Sequence, residues 1–278
     1  MNRLVFIAAV LTSSIVLIAS ANLKYSATNK QSTLLADSTA IEVAEKRILS
    51  PQQLKQEARA ITAKILAGES WGSAIIVNKQ GNLYTLVTNH HVLIFSPDKT
   101  YRVQAPDGKI YPGYISQEVD FKDNDLALVQ FTSGENYQVA SLATLSNSGK
   151  REKVFAAGFP LEIESGKKAE GLYLTDGHIT RLSKLKFGGG YQIGYTNSVK
   201  KGMSGGPLLN KKGQVVGING VHKYPLWGNP YQFDDGSIAT EIQKQEMSKL
   251  SWAISVNTFL KLAPQFYVSE TRKLIITE

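Results

Sequence analysis

Ser204 stands in Lys201-Gly202-Met203-Ser204-Gly205-Gly206-Pro207-Leu208, a serine held among three glycines and stopped by a proline. Such a stretch bares one hydroxyl, because glycine takes backbone angles that a side chain forbids and lets another molecule approach the main chain. The N–H groups of Gly202 and Ser204 would aim into one small space, which suits a developing oxyanion. A serine hydroxyl is a weak nucleophile unless a base takes its proton and a third group orients that base. Both partners have candidates upstream. His91 closes Leu86-Val87-Thr88-Asn89-His90-His91, where an apolar strand runs into a polar turn, and Asp125 leads straight into the apolar run Leu126-Ala127-Leu128-Val129. Taken singly, each has a bland reading: a histidine at a strand end, an acid in a turn, a serine in a glycine-rich loop. His90 is expected to point away from His91 if the backbone stays extended, since successive side chains alternate. Asp123 competes for the acidic role but reads as solvated or capping a turn, and His178 reads as a surface turn residue.

In chain order His91, Asp125 and Ser204 resemble the trypsin/chymotrypsin superfamily, whose acid opens a strand and whose serine sits in Gly-Asp-Ser-Gly-Gly-Pro. The separations, 34 residues from 91 to 125 and 79 from 125 to 204, leave room for the strands of two barrels. Thr88-Asn89-His90-His91-Val92 is closer still to bacterial, including cyanobacterial, trypsin-like proteases of the periplasmic heat-shock type. The likeness covers roughly residues 60 to 260. It implies an all-β, two-barrel trypsin-like fold with short N-terminal and C-terminal helices. It also implies roles: Ser204 as nucleophile, His91 as base, Asp125 as its orienting acid, and the N–H groups of Gly202 and Ser204 as the oxyanion hole. The pocket for the substrate side chain would have Ser198 at its base and Gly220-Val221-His222 along one wall, with Trp252 a candidate to intrude. Ser198 offers a hydroxyl rather than a carboxylate, so a strictly basic preference is not supported. Neither cofactor nor metal is implied, and the partner is a protein or peptide substrate. Met203 departs from the digestive proteases, which carry Asp there to pair with a newly released N-terminus. A methionine has no such charge and is suited to fill an apolar gap beneath the loop, so no zymogen switch is expected.

Short runs with turn signals between them are the mark of an all-β sandwich or barrel. Trp71 to Val77 and Tyr84 to Thr88 flank a Gln80-Gly81-Asn82 turn and read as a hairpin delivering His91. Further strands are expected at 61–66, 101–105, 109–116 and 126–131, then at 153–157, 171–181, 191–197, 207–209, 214–219 and 252–256. Ser50-Pro51 reads as a capped helix start running to about residue 58 or 60. Asn257 reads as the cap of a terminal helix, and a further helix is expected from Glu241 to Lys249. No internal sequence repeat is visible.

Residues 1–21 carry one arginine, an apolar run from Leu4 to Ile18 and Ala19-Ser20-Ala21, the pattern of a cleaved secretory signal. A retained membrane anchor is the alternative, but the run is interrupted by Thr12-Ser13-Ser14 and falls short of the ~20 residues a spanning helix needs. Residues 22–50 are polar and aperiodic and read as a linker or disordered arm. The protease domain is expected over 51–268, as barrels of about 60–140 and 150–260, before a tail at 269–278 that leaves no room for a C-terminal peptide-binding module. The sequence has no cysteine, which excludes a disulfide framework and suits a secreted or periplasmic protein of a bacterial envelope. Its formal charge of +8 does not make a nucleic-acid binder, because the basic residues are scattered as pairs such as Lys167-Lys168 and Lys211-Lys212, without a basic helix. No membrane contact is expected once the signal is removed, and the sequence is silent on oligomeric state. The segment from His222 to Leu250 is long for a connection between strands and rich in aromatics, so it is expected to shape substrate access. Asp234-Asp235-Gly236 reads as a tight turn rather than a calcium site. Two rivals stay open: a protease-like binding module whose pocket is blocked, and an esterase or acyl transferase using the same three residues.

Overall fold

The computed structural model describes residues 48–94, 96, 98–145, 151–162, 171–223 and 231–266. The signal segment, nearly all of the polar arm, the C-terminal tail and residues 224–230 of the aromatic segment lie outside the described residues. Strands β1 (Thr62–Ala67), β2 (Ser70–Gln80), β3 (Leu83–Thr88), β4 (Tyr101–Gln104), β5 (Ile110–Ser116) and β6 (Ala127–Thr132) close a barrel in the order β1-β2-β3-β6-β5-β4. Strands β7 (Lys153–Gly158), β8 (Tyr173–Phe187), β9 (Tyr191–Tyr195), β10 (Pro207–Leu209), β11 (Val215–Val221) and β12 (Ser251–Ser255) close a second, in the order β10-β11-β12-β9-β8-β7. Closure leaves neither sheet an open edge. The expected all-β, two-barrel fold is therefore present. Among the described residues, the α-helices that accompany it are α1 (Pro51–Ile61), α2 (His90–Leu93), α3 (Glu241–Ser248) and α4 (Val256–Leu262).

Three buried clusters hold this arrangement. Ile65, Ile76, Leu86, Val103, Val129 and Phe131 fill the first barrel, and Val154, Ile179, Ile193, Leu208 and Val216 fill the second. The third is a seam that takes Phe121 and Leu128 from one side and Phe155, Phe187 and Trp252 from the other. Helix α1 closes onto this seam because Leu54, Ala58 and Ile61 recur on one face. Its start is fixed by a capping box: Ser50 Oγ accepts from Gln53 N–H, and Gln53 Oε1 accepts from Ser50 N–H. Among the described residues, no helix is long and apolar enough to cross a membrane.

Several local expectations are corrected. Strand β8 runs past residue 181 to Phe187, because its far half has no apolar alternation and is held by pairing with β9 instead. His178 lies exposed on that strand rather than in a turn. Helix α4 is capped by Ser255, whose Oγ accepts from Thr258 N–H, while Asn257 Oδ1 accepts from Leu145 N–H. Trp252 is fully buried, edge-on to Phe187, with Nε1 donating to Met247 O, so it belongs to the seam and does not intrude on an open pocket. Asp235 Oδ1 accepts from the Ser237 N–H and hydroxyl, which makes the acidic trio a tight turn closed on itself.

The fully buried Tyr84 donates from its hydroxyl to Glu135 O at 2.6 Å and accepts from Tyr137 N–H at 3.1 Å. Tyr84→Phe keeps the ring and strands that N–H, so we expect a loss of about 1–3 kcal/mol. A lowered urea midpoint with an unchanged slope would show it.

Candidate active site

Strand β3 ends at Thr88, and the chain turns at once into the single helical turn α2, which carries His90 and His91. His90 is exposed and stands on this helical turn, so the alternation expected of an extended strand does not apply to it. Asn89 braces the corner from the other side, its Nδ2 donating to Asp125 O at 2.8 Å. His91 then meets Asp125 twice: its backbone N–H donates to Oδ1 at 2.8 Å, and its Nδ1 lies 2.6 Å from Oδ2. Tyr191 of β9 adds a third donor, its hydroxyl reaching Oδ2 at 2.5 Å. Burial pushes the Asp125 carboxyl up, yet the donors from His91 and Tyr191 outweigh it and hold the group below the ordinary carboxylate value. Asp125 is therefore ionised at neutral pH and can only accept, so Nδ1 carries the shared proton, and in the neutral imidazole Nε2 is the acceptor. Asp123 is exposed and makes no such contact.

The Ser204 loop is built on the second barrel and pinned to the first. Ser73 on β2 does the pinning: its N–H donates to Ser204 O at 2.8 Å, and its hydroxyl donates to Gly202 O at 2.9 Å while accepting from Phe159 N–H at 2.9 Å. Asn219 on β11 holds the other flank, its Nδ2 donating to Ala157 O and Pro207 O and its Oδ1 accepting from Tyr195 OH. Its backbone exchanges bonds with Gly205 and Gly206. Gly205 has φ +83, and a Cβ there would overlap Ser73 O and Thr88 Oγ1, so only glycine fits between the barrels. Met203 is fully buried with Val154, Tyr195, Val199 and Leu208 beneath the loop, in the apolar gap its type suits. With Lys201 O turned to accept from Leu161 N–H, the Gly202 N–H of the same peptide faces the opposite way. Neither the Gly202 nor the Ser204 N–H has an acceptor among the described residues.

The structure thus brings His91 and Asp125 together, and it tethers the Ser204 loop beside Thr88, where the chain enters the His91 turn. It does not hydrogen-bond Ser204 to His91. The Ser204 hydroxyl donates instead to Gly220 O at 3.1 Å. Of the positions read as a substrate pocket, Ser198 is exposed, Gly220 is buried, and His222 is half-buried with Nδ1 2.8 Å from Lys223 O. Lys223 Nζ donates to Thr196 O at 2.7 Å, which brings a cation to the same rim. Ser73, Tyr191 and Asn219 passed unnoticed in the sequence because each sits inside a run that reads simply as strand. A buried polar residue in such a run was the available signal.

The pH dependence of stability follows from Asp125. Its folded pKa lies below its unfolded one, so its ionised form contributes stability that is fully present above the ordinary carboxylate value of about 3.9 and is lost as the pH falls through the folded value. Asp125→Asn should therefore flatten the acid limb of the stability curve, read as urea midpoints from about pH 6 down to about pH 3. An acid limb as steep as that of the unaltered chain would contradict it.

The trypsin-like peptidase domain family matches residues 72–218, more than half of the chain. The mitochondrial serine protease HTRA2 of Drosophila virilis is 29% identical over 153 residues, which are 54% of this chain and 34% of that protein. Do-like 14 of Arabidopsis thaliana is 29% identical over 163 residues, 56% of this chain and 36% of that protein. The matched stretch thus spans about a third of the length of these relatives. An HtrA-type protease solved with a tripeptide superposes with a TM-score of 0.57 over 78% of this chain and 63% of its own, at 19% identity, a likeness of fold. The family read from three short motifs is the one that matches, and the chain belongs to the trypsin-like peptidase domain family, with relatives of the HtrA type.

Proposed function

We propose that this protein is an exported serine endopeptidase that hydrolyses peptide bonds with Ser204, His91 and Asp125. The observation that supports it most is the bond from His91 Nδ1 to the ionised Asp125, which leaves Nε2 as a base. In this reading Ser204 turns about its Cα–Cβ bond from Gly220 O toward His91. Its oxygen attacks the peptide carbonyl while its proton passes to Nε2. The Gly202 and Ser204 N–H groups hold the oxyanion, a single donor of this kind being worth about 10²–10³ in rate. His91 returns the proton to the leaving amine as the C–N bond breaks, and water then cleaves the acyl-serine through the same base. Asp125 keeps the imidazole in the required tautomer throughout. Ser198, Gly220 and His222 border the substrate side chain, and the hydroxyl of Ser198 favours a small or moderately apolar one.

A serine-reactive phosphonate tests this on the full chain without knowledge of the substrate. Labelling is expected for the unaltered chain and for His90→Ala, and none for Ser204→Ala or His91→Ala. Asp125→Asn should lose about 10³–10⁴ in rate through the wrong tautomer, while Asp123→Asn stays close to the unaltered chain. The contact between Ser204 and Gly220 O favours one competing reading, a binding module with an idle serine. That reading requires an unlabelled chain, and it would replace ours. Turnover of esters but never of peptides would point to the acyl-transferring alternative.

Export, with a periplasmic or secreted destination, rests on the signal pattern of residues 1–21. The mature N-terminus is expected at or near Asn22, and N-terminal sequencing of the chain recovered from a bacterial envelope would read it. A chain recovered with residues 1–21 intact would return the anchor alternative.

A further inference from the structure

Asp125 belongs to the first barrel, but what completes its surroundings comes from the second. The turn between β8 and β9 lies against it, with Asp125 N–H donating to Gly189 O at 2.8 Å. Two residues on, Tyr191 leaves that turn fully shielded, its ring stacked on Phe187 with centroids 5.6 Å apart and its hydroxyl 2.5 Å from Asp125 Oδ2. The space its phenol occupies is the space of a missing side chain: a Cβ built on Gly220 would overlap the Tyr191 hydroxyl, Cε1 and Cζ. Gly220 is also the residue whose carbonyl holds the Ser204 hydroxyl. One phenol therefore touches the acid of the proposed site on one side and the backbone beside its nucleophile on the other.

We infer that Tyr191 is a positioning residue for this site: its hydroxyl, admitted by the absent side chain of Gly220, fixes the carboxylate of Asp125 so that Oδ2 stays in line with His91 Nδ1. This rests on the peptidase reading. Oδ2 accepts both bonds, whereas Oδ1 takes only the His91 backbone N–H. A carboxylate turns readily about its Cβ–Cγ bond. Without the phenol, the orientation of Oδ2 rests on the imidazole it is meant to orient and on the single backbone bond from His91 to Oδ1. Burial and the neighbouring carboxylate drive the Tyr191 phenol well above its ordinary value, so it remains a protonated donor across the working pH range. Asp125 makes no contact with substrate in this scheme beyond what it does through His91, and Tyr191 acts one step further back.

Tyr191→Phe keeps the ring, its stacking and the fold while deleting the hydroxyl. On the full chain we expect phosphonate labelling of Ser204 to slow by roughly tenfold or more, the usual weight of a hydrogen bond to a charged group. For a peptide substrate the loss should fall on kcat, with KM little changed. The ¹H resonance of the His91 Nδ1 proton, shifted downfield by its bond to the carboxylate, should move or broaden in the variant. A merely structural tyrosine would lower the melting temperature and leave that resonance in place. A second pair relocates the donor: Tyr191→Leu should be slower still, and adding Gly220→Ser, whose hydroxyl reaches the vacated space, should recover part of the rate. Labelling at the unaltered rate with an unmoved Nδ1 resonance would overturn the inference, as would failure of the added serine to restore any rate in a folded double variant. If the unaltered chain were not labelled at all, the peptidase reading would fall. The Nδ1 resonance would still report whether Tyr191 orders the pair.

Discussion

A carboxylate withdrawn from water has to find donors, and Asp125 finds its donors on both sides of the cleft between the barrels. The His91 backbone and ring come from the first barrel and the Tyr191 hydroxyl from the second, while the Asp125 N–H is taken up by Gly189 of the second. Asp125 is only partly exposed, and a charge so far withdrawn from water is costly when a donor is missing, so its donors favour one docking of the two barrels. That same orientation sets the tautomer of His91. The electrostatic requirement of one side chain and the relative placement of two barrels are a single constraint.

The Ser204 side obeys the same logic with backbone groups in place of a charge. Gly202 O and Ser204 O are both consumed by Ser73, a residue of the opposite barrel, and Asn219 consumes the carbonyls of Ala157 and Pro207. Carbonyls tied down in this way cannot swing into the space where the Gly202 and Ser204 N–H groups point. Met203 adds an apolar foundation, fully buried in the second barrel, which packs the loop from beneath. The open element is the Ser204 hydroxyl, parked on Gly220 O and one side-chain rotation from other partners.

Gly220 links the two halves. It offers its carbonyl to Ser204 and its empty side-chain position to Tyr191, so a single glycine adjoins the surroundings of Asp125 and of Ser204 at once. Any side chain at that position would displace the phenol, and the donor on Asp125 would have to be supplied in another way.

The sequence by itself determined the elements that depend on local pattern: alternating strands, the Ser50-Pro51 helix start, the glycine-rich turn at Ser204 and the acid that opens β6. It also singled out Asp125 over Asp123, because the apolar run that follows is a local signal, whereas His91 over His90 rested on the motif of the resemblance and on strand alternation. The extended backbone read at His90 was misjudged, since a four-residue helical turn after a strand leaves no period to read. The far half of β8 was invisible for a related reason: solvent lies on both faces, so only its pairing with β9 defines it. Tyr191, Ser73 and Asn219 looked like ordinary strand residues, because their importance lies in which distant backbone or carboxylate group they meet. Hydrogen bonds between residues 66 and 129 positions apart, as from Tyr191 to Asp125 and from Ser73 to Gly202, leave no trace in composition or periodicity. Only closure of the two barrels and their docking around the Asp125 carboxylate decided them, because a donor has meaning only once its acceptor has been carried to it.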